Sequence, residues 1–504
     1  PLPFITGTIC AHRCQTKCTR NFYDDSVQIR STKLVAAERG YEAYVSKLKP
    51  AAPVKDSRKV AVIGGGPTGM AAAYFVGRAG IPVTVFEKSD QLGGIVRQVI
   101  PGFRISDEAI DKDAALVAKM GAEIRLNTPA PSVAELKAEG YTHIFFAVGA
   151  WKAGRLDIPG NVVPVIGWLK DLKAGKGVSL GHVAVVGGGN TAMDAARAAL
   201  RAGAKSSTLV YRRTKKYMPA DAEELELAIA DGVNFLELVA PVEQSGGRLR
   251  CERMKLGEPD EKGRRKPEPT GEFVEIDCDT VVSAVGEKVD SEIFTAGGIE
   301  VDGKGLPAFR TNVEGVFAGG DAMRGPATVV EGIADAQWFA NAVIGEAHKY
   351  AIPAHAKAGR ADAIAKKGVL CESAKCEGDR CLTCNVVCQV CADVCPNRAN
   401  VVVELPDGRH EILHVDRMCN ECGNCAIFCP YDSAPYRDKF TLFKTREGFD
   451  ESVNNQGFLP LGGRKVLVRL DGKVFEADLD GESDLPADIE VFILTVLTKY
   501  PYLL

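Results

Sequence analysis

Two stretches of the chain each combine a short apolar strand, a glycine-rich turn and an alanine-rich helix. In the first, strand residues Lys59–Ile63 lead into a turn at 64–69 and a helix that runs to Arg78. In the second, His182–Val186 lead into a turn at 187–192 and a helix that runs to Leu200. A strand that enters a helix through such a turn is typical of dinucleotide-binding folds. The sequence therefore predicts an α/β protein with two nested Rossmann-like domains.

The first turn has the residues that a dinucleotide phosphate requires. Gly64 permits the tight turn, Gly66 lets the backbone approach a pyrophosphate, and Gly69 allows close packing of helix on strand. A second strand, Val83–Phe86, ends in Glu87, whose carboxylate can accept hydrogen bonds from ribose hydroxyls. The residues predicted to bind the cofactor here are Gly64, Gly66, Pro67, Gly69, Glu87 and Lys88.

The second turn differs at the end of its second strand. Strand Ser207–Tyr211 is followed by Arg212 and Arg213 rather than by an acid. Guanidinium groups suit a 2′-phosphate, so NADP(H) is favoured over NAD(H), unless the two arginines form a solvated surface turn. The residues predicted to bind nicotinamide nucleotide are Gly187, Gly189, Asn190, Thr191, Arg212 and Arg213.

The second fold lies inside the first. Apolar segments 141–149 and 280–286 both end in Ala-Val-Gly, at Gly149 and Gly286, so residues 151–285 are predicted to be an insertion. After them, Gly315–Asp321 reads as a strand that precedes a helix through Val343. Backbone donors at the start of this helix suit a flavin pyrophosphate and ribityl chain. The residues predicted for that role are Gly320, Asp321, Ala327 and Thr328.

Over residues 5–350 the chain resembles the small subunit of glutamate synthase and the amino-terminal half of dihydropyrimidine dehydrogenase. The resemblance is carried by the first glycine turn with Glu87 and by four further segments: LGGIVRQVIPGFR (92–104), VGGGNTAMDAAR (186–197), VYRR (210–213) with MPA (218–220), and AGGD (318–321). It implies FAD at the first fold, NADP(H) at the second, and Gly94, Arg97 and Arg104 near the flavin.

The cysteines are concentrated at two places. Of 16, three lie within residues 10–18 and eleven within 371–429, which in a reducing compartment indicates metal sites before disulfides. The run Cys419-x2-Cys422-x2-Cys425-x3-Cys429-Pro matches the bacterial ferredoxin pattern, and 384–396 nearly repeats it. Two [4Fe-4S] clusters are predicted, one held by Cys384, Cys388, Cys391 and Cys429, the other by Cys419, Cys422, Cys425 and Cys395.

Several ligand assignments remain open at this point. Residues 384–396 carry one extra residue after the first cysteine, so Cys381 can replace Cys384. Structural zinc is the alternative for the cysteine-rich region, above all for a site that uses Cys371 and Cys376. At the amino end, Cys10, Cys14 and Cys18 can ligate a further [4Fe-4S] cluster only with a fourth ligand from elsewhere, and the alternative there is reduced structural thiols.

The whole chain is similar to the carboxy-terminal half of the family named after selenate reductase, in which a glutamate-synthase-type flavoprotein continues into a two-cluster ferredoxin domain. Segments CPNRANVVVE (395–404) and MCNECGNCAIFCPYDSAPY (418–436) carry this resemblance. The domains expected are a cysteine-rich segment (1–55), an FAD domain in two parts (56–150 and 286–350), an NAD(P)H domain (151–285), a bacterial-type α+β ferredoxin domain (351–440) and a small carboxy-terminal domain (441–504).

Composition restricts the function further. The net charge of −4 comes with no basic stripe, so a nucleic-acid partner is not expected, and no segment suits a membrane span or a signal peptide. A cytoplasmic protein is expected, and because the chain opens with Pro1 we expect it to derive from a longer polypeptide. No His, Asp and Ser constellation is apparent, and hydride transfer to a flavin requires no acid–base side chain, so no catalytic residue is predicted.

These observations favour an NAD(P)H-dependent FAD and iron–sulfur oxidoreductase. We expect it to be the electron-transfer part of a hetero-oligomeric enzyme, serving an electron-accepting or electron-donating subunit or domain, with flavin-based bifurcation as a variant. One alternative is a self-contained flavin reductase of a small acceptor, with the clusters as an electron store. The other is a zinc-stabilised interaction module at the carboxy end.

Overall fold

The computed structural model describes residues 1–22, 25–259, 265–345, 377–381, 388–452, 455–481 and 483–504. Contacts divide the chain into two compact units. The first comprises residues 1–11 and 36–349, and the second comprises 12–35 and 350–504. Among the described residues, no helix combines the length and the apolar character that crossing a bilayer requires.

The first part of the chain alternates helices and strands. Its elements are α1 (Pro3–Ile9), α2 (Arg13–Thr16), a 3-10 turn (Thr19–Phe22), α3 (Ile29–Lys47), β1 (Val60–Ile63), α4 (Pro67–Arg78), β2 (Val83–Phe86), α5 (Gly94–Gln98), α6 (Asp107–Lys119), β3 (Glu123–Arg125), α7 (Val133–Ala138), β4 (His143–Phe146), β5 (Lys152–Ala153), β6 (Val162–Pro164) and α8 (Val165–Lys173).

The middle of the chain contains the second glycine turn and returns to the first sheet. Its elements are β7 (His182–Val186), α9 (Asn190–Arg201), β8 (Ser206–Tyr211), a 3-10 turn (Lys215–Tyr217), α10 (Ala222–Ala230), β9 (Asn234–Glu237), β10 (Val239–Ser245), β11 (Arg248–Pro259), β12 (Arg265–Asp277), β13 (Thr280–Ser283), β14 (Glu287–Lys288), α11 (Glu292–Thr295), β15 (Val316–Ala318), α12 (Asp321–Arg324) and α13 (Val329–Ile344).

The first sheet has five parallel strands in the order β15-β4-β1-β2-β3. Strands β1 and β2 are buried along their whole length, as expected of parallel strands that are covered on both faces. Helices α4 and α13 contribute Met70 and Phe339 to one core, in which the rings of Phe339 and Phe145 stack with centroids 4.4 Å apart. Because β15 follows the second fold in sequence, the nested connectivity is confirmed.

The second sheet also has five parallel strands, in the order β6-β13-β7-β8-β9. Helix α9 contributes buried residues to the core, beginning with Ala192 and Met193, and α8 adds Trp168 and Leu169 to the same core. A separate antiparallel sheet, β10-β11-β12, follows, and the short strands β5 and β14 pair where the chain passes between the two folds. The predicted α/β class is therefore confirmed.

Helix α1 is attached to the first fold by a buried carboxylate. Asp113 on α6 is fully buried and accepts hydrogen bonds from the backbone N–H groups of Phe4 and Ile5, at 3.2 and 2.7 Å. These donors belong to the first turn of α1, where backbone N–H groups have no partner within the helix. Burial raises the pKa of Asp113 to about 7.

In the second unit, the elements after the 3-10 turn Glu377–Arg380 are α14 (Val390–Asp393), β16 (Asn400–Glu404), β17 (His410–Val415), a 3-10 turn (Asp416–Met418), α15 (Asn424–Ile427), α16 (Pro435–Asp438), β18 (Thr441–Leu442), α17 (Arg446–Glu451), β19 (Gly457–Gly462), β20 (Lys465–Leu470), β21 (Lys473–Asp478), α18 (Ala487–Lys499) and a final 3-10 turn (Pro501–Leu503).

One sheet runs through the described part of the second unit. Its six strands follow chain order from β16 to β21, and β18 pairs in parallel with both β17 and β19. Strands β16 and β17, which precede residue 441, and strands β18 to β21, which follow from it, therefore belong to one sheet. This sheet includes strands on both sides of the boundary expected between the ferredoxin domain and the small carboxy-terminal domain. Helix α18 covers it, with Phe492, Ile493 and Val496 in the common core.

Candidate functional site

The first glycine turn is shaped by close backbone contacts. Gly64 has a φ of +104°, and a Cβ there would lie 2.5 Å from the carbonyl oxygen of Ala147. A Cβ on Gly69 would lie 1.9 Å from the carbonyl oxygen of Gly64. Gly66 precedes α4, and the nearest atom to a Cβ there is the Gly94 Cα, at 3.9 Å. Two glycines are thus required by the protein itself, whereas Gly66 leaves space at the helix start.

Glu87 is fixed against this turn at the end of β2. Its Oε2 accepts a hydrogen bond from the Gly65 N–H at 2.6 Å, and its Oε1 accepts one from the Ser89 N–H at 2.8 Å. The side chain is buried, whereas the neighbouring Lys88 is exposed, with its Nζ 5.8 Å from the centre of the Trp151 ring. Each oxygen of an ionised carboxylate can accept more than one hydrogen bond, so Glu87 retains the capacity to bind hydroxyl groups.

The segment that contains Gly94 lies on the turn. Gly93 donates its N–H to the Gly65 carbonyl at 2.8 Å, and a Cβ on Gly94 would lie 2.8 Å from the Gly66 Cα. The buried Arg97 donates from Nε to the Leu92 carbonyl at 2.6 Å and pairs through Nη2 with Asp111 at 2.5 Å. Its guanidinium therefore braces the loop that covers the turn.

Arg104 lies between the two folds. Its Nη1 is 2.7 Å from Asp194 Oδ1 on α9 and 2.5 Å from Glu224 Oε2 on α10. Both carboxylates are at least nine-tenths buried as side chains. The family resemblance implies that Arg104 lies near the flavin. The structure shows in addition that Arg104 pairs with two carboxylates, which lie 90 and 120 residues further along the chain.

The carboxyl end of β15 closes the same site from the other side. Gly320 has a φ of +63° and donates its N–H to the fully buried Asp335 at 2.9 Å. Asp321 accepts a hydrogen bond from the Ala327 N–H at 3.1 Å, and burial raises the pKa of Asp321 to about 6. Thr328 then caps α13 reciprocally with Glu331.

Helices α4 and α13 begin close to each other. A Cβ on Gly320 or on Gly332 would lie 2.4 or 2.3 Å from the Thr68 hydroxyl oxygen. Both helices have at least twelve residues, and the N-termini of such helices attract phosphate groups. The structure thus brings the first glycine turn, Glu87 and the 320–328 segment to one edge of the first sheet.

The second glycine turn is similar but is closed differently. Gly187 has a φ of +157°, and a Cβ there would lie 2.3 Å from the Ala284 carbonyl oxygen. A Cβ on Gly188 would meet the Tyr211 ring at 2.4 Å, whereas one on Gly189 would have no atom within 4 Å. The turn therefore offers open space at the start of α9.

The loop that contains the MPA segment (218–220), to which the sequence analysis gave no binding residue, folds over this turn. Ala220 donates its N–H to the Gly188 carbonyl at 3.0 Å, and Asp221 donates its N–H to Asn190 Oδ1 at 3.0 Å. At the crossing between the folds, Gly149 and Gly286 have φ values of +74° and +112°. These residues position α9 and the crossing strands around the nucleotide turn.

The two arginines after β8 have different surroundings. Arg212 is exposed and makes no hydrogen bond or ion pair with the described residues. Arg213 is half-buried and donates from Nε to the Arg265 carbonyl at 3.3 Å. Arg212 is therefore available to an anion, and Arg213 is oriented by the β11–β12 hairpin.

The ferredoxin-like cysteines form a pocket in the second unit. One open pocket, with about 290 Å³ of empty space including its mouth, is lined by four cysteines, Cys395, Cys419, Cys422 and Cys425. The sulfurs of Cys395 and Cys419 accept hydrogen bonds from the N–H groups of Ala399 and Glu421, at 3.2 and 3.3 Å.

A second group of thiols adjoins this pocket. Burial raises the pKa of Cys391 to about 12, with further contributions from its neighbours Cys388, Cys425 and Cys429. Cys384, Cys371 and Cys376 lie outside the described residues. Within the described residues, no three His, Cys, Asp or Glu side chains lie close enough together to hold a single metal ion.

The amino-terminal cysteines are divided between the units. Cys10 is buried at the end of α1 in the first unit, whereas the exposed Cys14 and the half-buried Cys18 belong to the second. In the second unit, Arg380 pairs with Glu377 and donates a hydrogen bond to the Asp25 carbonyl at 2.6 Å. The next residue, Cys381, is exposed.

Comparison with known proteins identifies the chain's family. The sequence model of the family described as pyridine nucleotide-disulphide oxidoreductase matches residues 58–336, which are more than half of the chain. The chain belongs to this family. It is therefore an oxidoreductase that uses FAD and a pyridine nucleotide.

Individual relatives of this oxidoreductase cover different parts of it. YgfK of Escherichia coli (strain K12) is 40% identical over 95% of the chain, which spans only 49% of YgfK. The NADPH-Fe(3+) oxidoreductase subunit beta of Geobacter sulfurreducens is 37% identical over 70% of the chain and 57% of that protein. The glutamate synthase [NADPH] small chain of Escherichia coli (strain K12) is 30% identical over 68% of the chain and 80% of that protein.

The family name includes disulphide chemistry, for which this chain's matched region has no reactive pair. Its only cysteines there are Cys251 and Cys278, both fully buried. Burial raises the pKa of Cys251 to about 12 and that of Cys278 to about 11, so both remain thiols near neutral pH. Neither thiol therefore has the exposure and the low pKa that are typical of a reactive redox cysteine.

Proposed function

We propose that the chain is an electron-transfer module that takes reducing equivalents from NADPH and delivers them through FAD and two [4Fe-4S] clusters to another part of a larger enzyme. The observation that carries this proposal is the crossed arrangement of the cysteines. Cys395 lies with Cys419, Cys422 and Cys425, and Cys391 has Cys388 and Cys429 as neighbours in addition to Cys425. This exchange of the fourth cysteine between two runs is the ligand pattern of two-cluster ferredoxins.

The flavin site is assigned from the chain's own groups. The N–H groups at the start of α4 and α13 suit the pyrophosphate, because two helix N-termini meet there. Glu87, oriented by the Gly65 N–H, suits the ribose hydroxyls of the adenosine. Gly93 and Gly94 lie over the turn and would keep water from it.

The nicotinamide site is assigned to the second turn. Gly189 leaves the approach to α9 open, and the exposed Arg212 suits a 2′-phosphate. When bound, FAD accepts a hydride and releases electrons singly, and [4Fe-4S] clusters carry one electron each. The N–H groups on the sulfurs of Cys395 and Cys419 would stabilise the thiolate ligands.

The assignment to a larger enzyme is supported by coverage. The chain spans 49% of YgfK, and two other relatives are named as a subunit and a small chain. The partner would be an electron-accepting or electron-donating subunit or domain.

Anaerobic titration with NADPH and NADH tests the proposal. We expect NADPH to bleach the flavin and then produce low-temperature EPR signals of reduced clusters. Cys425→Ser should remove one cluster signal and its iron, whereas Cys251→Ala, which changes a cysteine outside the pocket, should retain both. Flavin reduction without any cluster signal, or equal iron content in the two variants, would contradict the cluster assignment.

A further inference from the structure

A short segment between the two folds contributes buried side chains to both hydrophobic cores. Residues 94–104, here called the connecting segment, begin at Gly94 on the first glycine turn. Val96 is fully buried in the core of the first fold, whereas Val99 packs into the core of the second with Trp168. A movement of either fold is therefore transmitted to this segment.

Two cations hold the connecting segment to the second fold. Lys173 on α8 donates from Nζ to the Ile100 carbonyl at 2.8 Å. In the opposite direction, Arg104 extends from the segment to Asp194 at 2.7 Å and Glu224 at 2.5 Å. One contact uses a cation of the second fold, and the other uses a cation of the first.

The partners of Arg104 belong to the elements that form the nucleotide turn. Asp194 lies on α9, which starts at that turn, and Glu224 lies on α10, directly after the Asp221 loop. Asp221 in turn donates its N–H to Asn190, the first residue of α9. Arg104 is thus connected through a few hydrogen bonds to the groups that surround the nucleotide.

The charges around Arg104 make the contact selective for one arrangement of the folds. Asp194 and Glu224 have side chains that are 9% and 5% exposed, and the buried Arg197 lies 3.6 Å from Glu224 and 2.9 Å from Asp231. If the folds rotated apart, two buried carboxylates would face Arg197 alone among the described cations. Buried charges without a full set of partners are strongly unfavourable.

We propose, on the basis of the FAD and NADPH sites assigned under the proposed function, that Arg104 is a positioning residue. It couples the nucleotide-binding elements to the loop on the flavin turn and so sets the approach of the nicotinamide to the flavin. It acts through Asp194 and Glu224. Its role is therefore distinct from direct binding of either cofactor.

The test is the limiting rate of flavin reduction at saturating NADPH, measured by anaerobic stopped flow. Because small misplacements of reacting groups reduce rates by up to about 100-fold, we expect Arg104→Ala to slow this step by roughly 10- to 100-fold. FAD content should stay unchanged, and Arg104→Lys should recover part of the rate. Arg446→Ala, which removes an exposed arginine paired with Asp450 at 2.8 Å, is the matched control and should react as the wild type.

A second variant approaches the contact from the other fold. Glu224→Gln should slow the same step, and adding it to Arg104→Ala should have little further effect, because Arg104→Ala already removes the contact between Arg104 and Glu224. A wild-type limiting rate in Arg104→Ala, additive effects in the double variant, or FAD loss confined to Arg104→Ala would each overturn the proposal. If Arg104→Ala does not fold, a variant that carries both Asp194→Asn and Glu224→Gln, and so neutralises both partners of Arg104, decides alone, and an unchanged limiting rate in it refutes the coupling.

Discussion

Replacing Gly69 by alanine should damage the first fold before any cofactor is considered. The new Cβ would lie 1.9 Å from the Gly64 carbonyl oxygen, whereas real Cβ atoms stay beyond 3.0 Å, so helix and turn must separate by about 1 Å. The obstacle is backbone, which cannot rotate away as a side chain can. Overpacking of this kind costs about 1–3 kcal/mol, which corresponds to a fall of roughly 2–12 °C in the melting temperature.

Gly66→Ala is the matched comparison in the same turn. Its Cβ would find its nearest atom at 3.9 Å, so the protein without cofactor should melt within a few degrees of the wild type. The methyl group would instead occupy the space assigned to a pyrophosphate, and we expect the affinity for FAD to fall by at least about tenfold.

Differential scanning fluorimetry on flavin-free protein, followed by fluorescence titration with FAD, separates the two effects. Gly69→Ala should lower the melting temperature of the flavin-free protein, whereas Gly66→Ala should weaken FAD binding at nearly unchanged stability. The reasoning is refuted if Gly69→Ala melts with the wild type, or if Gly66→Ala binds FAD with wild-type affinity.

Three further predictions concern the preference for NADPH, the ligation of an iron–sulfur cluster and the pH dependence of stability. Arg212→Ala should raise the KM for NADPH by about tenfold or more while leaving that for NADH unchanged, since only NADPH has a 2′-phosphate, and a parallel change in both would contradict it. Cys419→Ser should lower the iron content and remove one EPR signal, whereas unchanged iron would exclude its assigned role. For Asp113, the pKa rises from 3.8 unfolded to about 7 folded, so its burial penalty grows from pH 4 to pH 7 and reduces stability by a few kcal/mol. In Asp113→Asn the fall in unfolding free energy over that range should be shallower, and identical slopes would refute this.

The elements of both folds are predictable from sequence because their signals are local. Strands Val83–Phe86 and His182–Val186 have the predicted bounds. The hairpin of Lys465–Leu470 with Lys473–Asp478 likewise has a local signal, the Asp-Gly turn that joins its strands. Apolar runs and glycine turns specify such elements within a few residues. The apolar segment 489–497, in contrast, has a composition that suits either helix or strand, and it lies within the helix Ala487–Lys499.

The partners of charged side chains are not predictable in the same way. Arg104 meets Asp194 and Glu224 only because helices α9 and α10, which lie far along the chain, approach it in the folded protein. The short strand Thr441–Leu442 likewise has no distinctive pattern, yet it joins the strands before and after it into one sheet. In both examples the decisive contact is long-range, and no local pattern specifies it.

The two glycine turns illustrate how one scaffold can serve two different nucleotides. In the first, Glu87 follows β2 and is oriented by a hydrogen bond from the Gly65 N–H. Its remaining lone pairs can therefore accept hydrogen bonds from hydroxyl groups. In the second, the Tyr211 ring closes the turn over Gly188, and the chain then exposes the cation of Arg212. The strand end, and not the glycine turn, therefore carries the difference in charge between the sites. Because Arg104 pairs with Asp194 and Glu224 behind the second turn, the two sites that we propose would also be connected mechanically, as the proposed hydride transfer between them requires.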